Sequence, residues 1–394
     1  MSALAGLKVL DLSRVLAGPW AGQLLADLGA DVVKVERPLL GDDTRAWGPP
    51  YLQDERGHDT TEAAYFLCAN RNKRSIAIDF TQPDGQQQVR ELVAKADVLI
   101  ENFKVGGLAA YGLDYASLQS INPRLIYCSV TGFGQDGPYA QRAGYDFMIQ
   151  GLGGLMSVTG RAADEPGAGP VKVGVAVTDI LTGLYASNAI LAALAERERS
   201  GQGQHIDLAL LDVQVACLAN QALNYLTTGV APQRLGNAHP NIVPYQDFPT
   251  ADGDLILTIG NDSQFRKFCD LAGKPEWAAD PRFASNAARV ANRTTLIPLI
   301  RQVTVFRTTA QWITDLEQAG VPCGPINNLA QVFDDPQVCA RGLQISMEHA
   351  LSGSVKLVAN PIRLSRTPVD YRLAPPLLNQ HQTEILRDWL ADKE

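Results

Sequence analysis

Asp179 stands directly before a long apolar-periodic segment and after the extended-looking residues 171–177. That position admits two readings. An aspartate there is a favoured helix cap, accepting a backbone N–H on its side chain. The same place keeps a carboxylate ionised through the helix dipole and the free N–H groups of the first turn, and an ionised carboxylate can act as a nucleophile. Arg71-Asn72-Lys73-Arg74 sets three cations in four positions. With Arg37, Lys104 and Arg142 they can meet a polyphosphate through charge-assisted contacts; the alternative is a solvated loop ahead of the strand 75–78. His239, in Gly236-Asn-Ala-His-Pro-Asn241, reads as an exposed loop residue. Cys323 reads as a structural thiol, because no basic neighbour is present to activate it.

Other chemistries lack their residues. Glu36 ends the second strand of an opening βαβ unit, where an acid can bind a ribose hydroxyl. The phosphate-binding Gly-x-Gly-x-x-Gly is missing, however, since only Gly18 and Gly22 occur there. There is no Gly-x-Ser-x-Gly elbow, Walker loop or His-Glu-x-x-His motif. Five dispersed histidines and six unpaired cysteines predict no metal site and reduced thiols, as in a cytoplasmic protein. The 42 acidic against 34 basic residues leave a net charge of -8, without the basic footprint of a nucleic-acid binder. Apolar runs such as 189–195 fall short of the roughly 20 residues that span a bilayer. The first ten residues show no export or import signal. The expectation is a cytoplasmic protein with no nucleic-acid or membrane partner.

Strands at 7–12, 31–36, 97–101 and 124–128, separated by helices at 18–28, about 85–94 and 115–121, predict an α/β fold with a parallel sheet. Residues 144–170 read as loop, 180–199 as a long helix, 204–210 as a strand and 211–228 as a further helix. A Pro/Asn-rich linker at 231–249 leads to a strand at 254–258 and helical segments to about 318. The last sixty residues predict one strand, 355–358, and a final helix, 381–390.

Several ordered segments stand out: Gly6-Leu-Lys-Val-Leu-Asp-Leu, Ala17-Gly-Pro19, Leu28-Gly-Ala-Asp-Val-Val-Lys-Val-Glu-Arg-Pro38, Asn72-Lys-Arg-Ser75, Asp97-Val-Leu-Ile-Glu-Asn-Phe103, Gly132-Phe-Gly-Gln-Asp-Gly-Pro138, Gly201-Gln-Gly-Gln204 and Gly320-Val-Pro-Cys-Gly-Pro325. Together they resemble the family III CoA-transferases, which include formyl-CoA transferase, carnitine CoA-transferase and α-methylacyl-CoA racemase. The resemblance implies a large Rossmann-like domain built from both chain ends, a small inserted α+β domain and an interlocked homodimer. The corresponding boundaries are 1–200 for the first part of the large CoA-binding domain, 201–230 for a linker region, 231–325 for the small domain, and 326–394 for the return linker and the rest of the large domain.

By the same resemblance Asp179 is the nucleophile that takes the acyl group from CoA. Val15, Ala17, Arg37, Ile78, Asn102, Phe103, Lys104, Arg142, Ala143, Tyr145 and Asp146 match the CoA site, and CoA thioesters are substrates with no permanently bound cofactor. Leu16 replaces a glutamine and Ala110 an arginine of formyl-CoA transferase, and 236–241 is not its glycine-only loop. These differences argue against formate or oxalate. Gly236-Asn-Ala-His-Pro-Asn-Ile-Val-Pro-Tyr245, Gly324-Pro-Ile-Asn-Asn328 and Met347-Glu-His349 resemble the succinyl-CoA:glutarate CoA-transferase subgroup. That implies succinyl-CoA as donor and a dicarboxylate acceptor near Leu16, Asn237 and His239, with His239 or Arg142 meeting its free carboxylate. Two alternatives are an acyl-CoA racemase or epimerase, disfavoured by Tyr145 where that branch needs a histidine base, and a CoA-binding protein without turnover.

Overall fold

The computed structural model describes residues 2–391. The chain forms two compact units. The first comprises the residues up to Leu155, Val173–Ala222 and those from Pro336 on; the second comprises Met156–Lys172 and Leu223–Asp335.

The first unit is built on six parallel strands: β1 (Lys8–Asp11), β2 (Asp31–Glu36), β3 (Lys73–Ala77), β4 (Val98–Glu101), β5 (Ile126–Thr131) and β6 (His205–Ala209). Their order is β3-β2-β1-β4-β5-β6. This doubly wound arrangement reverses direction between β1 and β4, where a crevice opens beyond the strand ends. The apolar runs are nearly continuous because both faces are covered. With a period of two, Val9, Val32, Val98 and Ile126 enter one core with helices α1 (Ala17–Asp27) and α5 (Val177–Ser200). Leu10, Val33, Leu99 and Tyr127 enter the opposite core with α2 (Pro83–Val93) and the C-terminal helix Gln382–Leu390. Between them in sequence lie α3 (Tyr115–Gln119) and α4 (Asp146–Leu152), and after β6 comes α6 (Leu210–Ala216).

Helix α5 is long and apolar enough to cross a membrane by length and composition. Here it buries Asp179, Thr182, Gly183, Ala186, Ile190 and Ala193 along one stripe, while Leu184 and Tyr185 stay exposed. Gly183 makes the approach to α1 possible: a Cβ there would lie 2.7 Å from the Ala17 carbonyl oxygen and 3.0 Å from Trp20 Cβ. Asp179, one turn earlier on the same face, is thereby brought to the start of α1. Gly201, at φ +74°, ends the helix in the left-handed conformation.

The C-terminal segment returns to the first strands. A hairpin of Gln344–His349 and Gly353–Val358 leads into it. Arg71 donates to Val358 O at 2.8 Å, the Asn72 N–H to Leu373 O at 2.7 Å, and Arg45 to Pro376 O at 2.9 Å. The second unit carries a three-stranded antiparallel sheet (Tyr245–Pro249, Asp254–Thr258, Cys323–Pro325) over a core of Phe248, Phe265, Phe268, Leu296 and Trp312.

Several expectations are corrected. Residues 144–170, read as loop, contain α4 and a helical turn at Leu155–Val158, and 171–177 form no strand. The single helix expected over 211–228 is two, α6 and Ala219–Thr228, broken where Ala219 takes φ +46°. The linker 231–249 includes a strand at its end, and the final sixty residues pair two strands where one was expected. The basic run is neither a phosphate site nor a solvated loop. Arg71 is buried on Asp27, Lys73 is fully buried on Asp11, and Arg74 pairs with Asp31 and Asp388. Glu36 is likewise occupied, by Arg45, the Ser75 hydroxyl and the Asp42 N–H.

Candidate active site

A cavity of about 200 Å³ opens where the strand order reverses. Its walls come from the turn after β1 (Arg14 to Ala17), the loop after β4 (Asn102 to Val105), the end of β5, the loop Ala140 to Tyr145, and the first turn of α5. The β1 turn is held by buried charges. Val15 has φ +71°, a strained conformation for a β-branched residue that persists only where its surroundings enforce it. Asp11 accepts the Ser13 N–H at 3.0 Å, and Lys34 donates to the Ser13 carbonyl at 2.9 Å. Asp42 accepts the Val15 N–H at 3.3 Å and pairs with Lys34 at 2.8 Å, both side chains being fully buried. Burial opposes the Asp42 carboxylate, but Lys34 and then Thr44 outweigh it and bring its pKa down to about 2. Lys73 holds Asp11 from below at 2.8 Å, and burial pulls its own pKa down to about 8.

Asp179 lines this cavity and is 8% exposed. It is not the helix cap: Ala176 occupies that position, and Asp179 is the third residue inside α5. Among the described residues nothing donates a hydrogen bond to its carboxylate. Burial, reinforced by the charge of Asp146, raises its pKa to about 7, so the helix terminus does not keep it in the ordinary carboxylate range. Asp146 lies behind it, accepting the Thr178 N–H at 2.9 Å and the Gln150 amide at 2.8 Å. Gln214 completes the support by accepting the Thr178 hydroxyl at 2.7 Å. The first amides of α1, on Ala17 and Gly18, have no intrahelical acceptor, and Ala17 lines the same cavity.

An adjoining cleft of about 420 Å³ is lined by Arg37, Gly41, Ile78, Phe80 and Tyr111, and shares Arg14, Phe103 and Lys104 with the first cavity. Arg14 lies over the Phe103 ring and pairs with Asp43 at 3.0 Å; Arg37 approaches Asp43 at 3.6 Å. Arg142 rests on Phe133 and Tyr139 and has no carboxylate partner among the described residues. The two spaces adjoin, and along them the cations Arg14, Arg37, Lys104 and Arg142 stand among the carboxylates Asp42, Asp43 and Asp79.

Of the residues singled out in the sequence, Val15, Leu16, Ala17, Asn102, Phe103, Lys104, Arg142, Ala143 and Tyr145 line one cavity with Asp179. Arg37 and Ile78 line the adjoining cleft, and Asp146 stands behind the wall. Asn237 and His239 belong to the second unit. There His239 stacks obliquely on Tyr245, its Nδ1 accepts the Asn241 N–H at 3.0 Å, and burial followed by the nearby Arg293 lowers its pKa. Sequence reasoning missed Lys34, Asp42 and Asp43. A cation inside an otherwise apolar strand, followed by paired aspartates, was the available signal.

A doubly wound α/β protein with an unpartnered carboxylate at its switch point, and a cleft carrying Arg37 and Lys104 beside it, is equipped for acyl transfer from a large anionic carrier. The chain belongs to CoA-transferase family III, whose model matches residues 4–382. It is 54% identical over 385 residues to the succinate–glutarate CoA-transferase of Agrobacterium fabrum, covering 98% of this chain and 95% of that protein. It is 45% identical over 387 residues to the human succinyl-CoA:glutarate CoA-transferase, covering 98% and 86%. The crystal structure of a CAIB/BAIF family protein from Brucella suis superimposes with a TM-score of 0.86 at 53% identity, covering 98% of this chain and 99% of that one. The protein is thus an enzyme that moves CoA between an acyl thioester and a carboxylic acid.

Proposed function

We propose that the enzyme transfers CoA from succinyl-CoA to a dicarboxylate, glutarate first among them, through covalent intermediates on Asp179. The single observation that carries this reading is the buried Asp179 carboxylate, unpartnered inside a cavity at the switch point. Its oxygen attacks the thioester carbonyl, forming a mixed anhydride as CoA thiolate leaves. The thiolate then attacks the aspartyl carbonyl, releasing the donor acid and leaving an aspartyl–CoA thioester. The acceptor carboxylate attacks that thioester to regenerate thiolate and a new anhydride. Thiolate attack on its acyl carbon yields the new acyl-CoA and free Asp179. The negative charge developing on each carbonyl oxygen is met by the free amides opening α1, and the narrow cavity keeps water from the anhydride.

Arg37, Ile78, Phe103 and Lys104 take the nucleotide end of CoA; Val15, Ala17, Asn102, Ala143 and Tyr145 take its pantetheine arm. Arg142, a cation without a carboxylate partner on the Asp179 cavity, takes the acceptor's free carboxylate, near Leu16. Asn237 and His239 contribute from the small domain. The large domain is Rossmann-like and formed from both chain ends, and two chains assemble as an interlocked homodimer. Exposed apolar side chains on α5 and α6, including Leu184, Tyr185 and Val215, support that assembly. The enzyme works in the cytoplasm with acyl-CoA and small acids, without nucleic-acid or membrane partners and without a resident cofactor.

The test is mass spectrometry of the protein incubated with succinyl-CoA. A succinyl or CoA adduct on Asp179, lost in Asp179→Ala and discharged by glutarate, supports the reading. Absence of any adduct alongside exchange of an α-proton would replace it with the racemase.

A further inference from the structure

A second set of reactive side chains lies beneath the loop after β4. Glu101 ends that strand, is 6% exposed, and accepts the Phe103 N–H at 2.7 Å. Ser129 is its register partner on β5. Ser129 Oγ lies 2.9 Å from His205 Nε2, on β6. The His205 ring is fixed by stacking on Tyr115, with centroids 5.3 Å apart. His205, Ser129, Glu101 and Tyr127 line a third cleft of about 360 Å³, separate from the Asp179 cavity and sharing with it only the Lys104–Val105 wall.

Glu101 therefore holds a backbone amide of the substrate wall. Asn102 accepts the Arg14 N–H at 2.9 Å and donates to the Arg14 carbonyl at 2.6 Å, joining this loop to the turn after β1. Phe103 packs edge-on to Phe80 and forms part of both substrate spaces. None of the steps proposed for transfer uses Glu101, Ser129 or His205.

We propose that Glu101 is a positioning residue for acyl-CoA binding, tethering the Asn102–Lys104 wall through the Phe103 N–H. The inference rests on the reading that the cavities flanking Phe103 hold acyl-CoA. A backbone donor on Glu101 suits its ionised form; protonation weakens the acceptor and loosens the tether. Burial raises its pKa to about 7, against the lowering influence of Ser129 and Phe103. Around it are Tyr127 and Cys128 on β5, His205 and Asp207 on β6, Asp114 ahead of α3, and Lys104 on its own loop. Acyl-CoA binding accordingly tightens as pH rises through 7.

The experiment measures CoA affinity by calorimetry, and KM and kcat for succinyl-CoA, between pH 6 and 9 in the wild type, Glu101→Ala and Glu101→Gln. Expected are a tenfold or larger rise in Kd and KM for Glu101→Ala at pH 8, a much smaller change in kcat, and loss of the pH dependence of Kd. Glu101→Gln, whose amide oxygen can still accept the Phe103 N–H, raises Kd about threefold to fivefold and also loses the pH dependence. An unchanged Kd in folded Glu101→Ala overturns the proposal. If that variant does not fold, an unchanged Kd and pH profile in Glu101→Gln do so instead. Calorimetry does not depend on turnover, so absence of the Asp179 adduct with intact CoA binding defeats only the transfer chemistry. Wild-type adduct formation with unaltered Kd in both variants defeats only the positioning role.

Discussion

Asp146 accepts the Thr178 N–H at 2.9 Å, so one carboxylate anchors the turn that presents another, Asp179. The anchor also acts electrostatically, because its negative charge adds to burial in raising the Asp179 pKa. Position and reactivity of the nucleophile therefore share one side chain.

Asp146→Asn separates the two effects. The amide oxygen can still accept from Thr178, but the charge is gone. The acid limb of the kcat/KM profile, centred near pH 7 in the wild type, should move to lower pH. Asp146→Ala removes the anchor as well, and kcat should fall on the order of a hundredfold from misplacement of the nucleophile. Steady-state kinetics from pH 5 to 9 check both.

The raised pKa of Asp179 also has a stability consequence. Its carboxyl binds a proton more tightly in the folded chain than at the ordinary value of 3.8. Folding then carries no penalty below about pH 4, a growing one up to pH 7 and the full one above it. Asp179→Asn should be more stable than the wild type by roughly 2–4 kcal/mol at pH 8. The gain should vanish near pH 4. Urea unfolding at the two pH values measures it; equal stability at pH 8 would show that the carboxylate is not strained by burial.

Lys34 and Asp42 form a fully buried pair. Lys34→Met leaves the aspartate charged and alone, and should cost about 3–5 kcal/mol. Adding Asp42→Asn removes the stranded charge and should recover part of the loss. A double-mutant cycle by chemical denaturation reads the coupling directly.

Arg142 has no competing carboxylate to leave. Arg142→Ala should raise KM for the dicarboxylate at least tenfold, the scale of a lost charge-assisted contact, while KM for succinyl-CoA changes less than threefold. The opposite pattern would assign Arg142 to CoA, and a rise in acceptor KM confined to His239→Ala would move the contact to the small domain.

Most sheet strands were legible because their apolar runs are bounded by Gly, Pro and Asp and buried on both faces, as in β2 and β4. The hairpin strand Gln344–His349 was not, since it alternates polar with apolar residues at the surface. Asp179 could be picked out, but its place inside the helix could not. That depends on Gly183 allowing α5 against α1, a contact between residues far apart in sequence. The run 71–74 misled for a related reason. Its charges read as solvated or ligand-binding until Asp11, Asp27 and Asp31, all more than forty positions earlier, are brought beside them. His239 was correctly read as belonging to a loop, whereas the grouping of Glu101, Ser129 and His205 is visible only once three strands lie side by side.

The return of the C-terminal segment governs the order in which this protein can be made. The acceptors for Arg45, Arg71 and Asn72 lie at Pro376, Val358, and Asp370 with Leu373, and Trp389 reaches back to Asp31 at 2.7 Å. A ribosome delivers these partners long after the first strands. Until they emerge, the buried donors stay hydrated and the face of the sheet that packs Ile385 and Trp389 is only partly covered. The first unit therefore completes its native contacts only once residues 358–389 are available, and removing them takes interior bonds from the first strands of the fold.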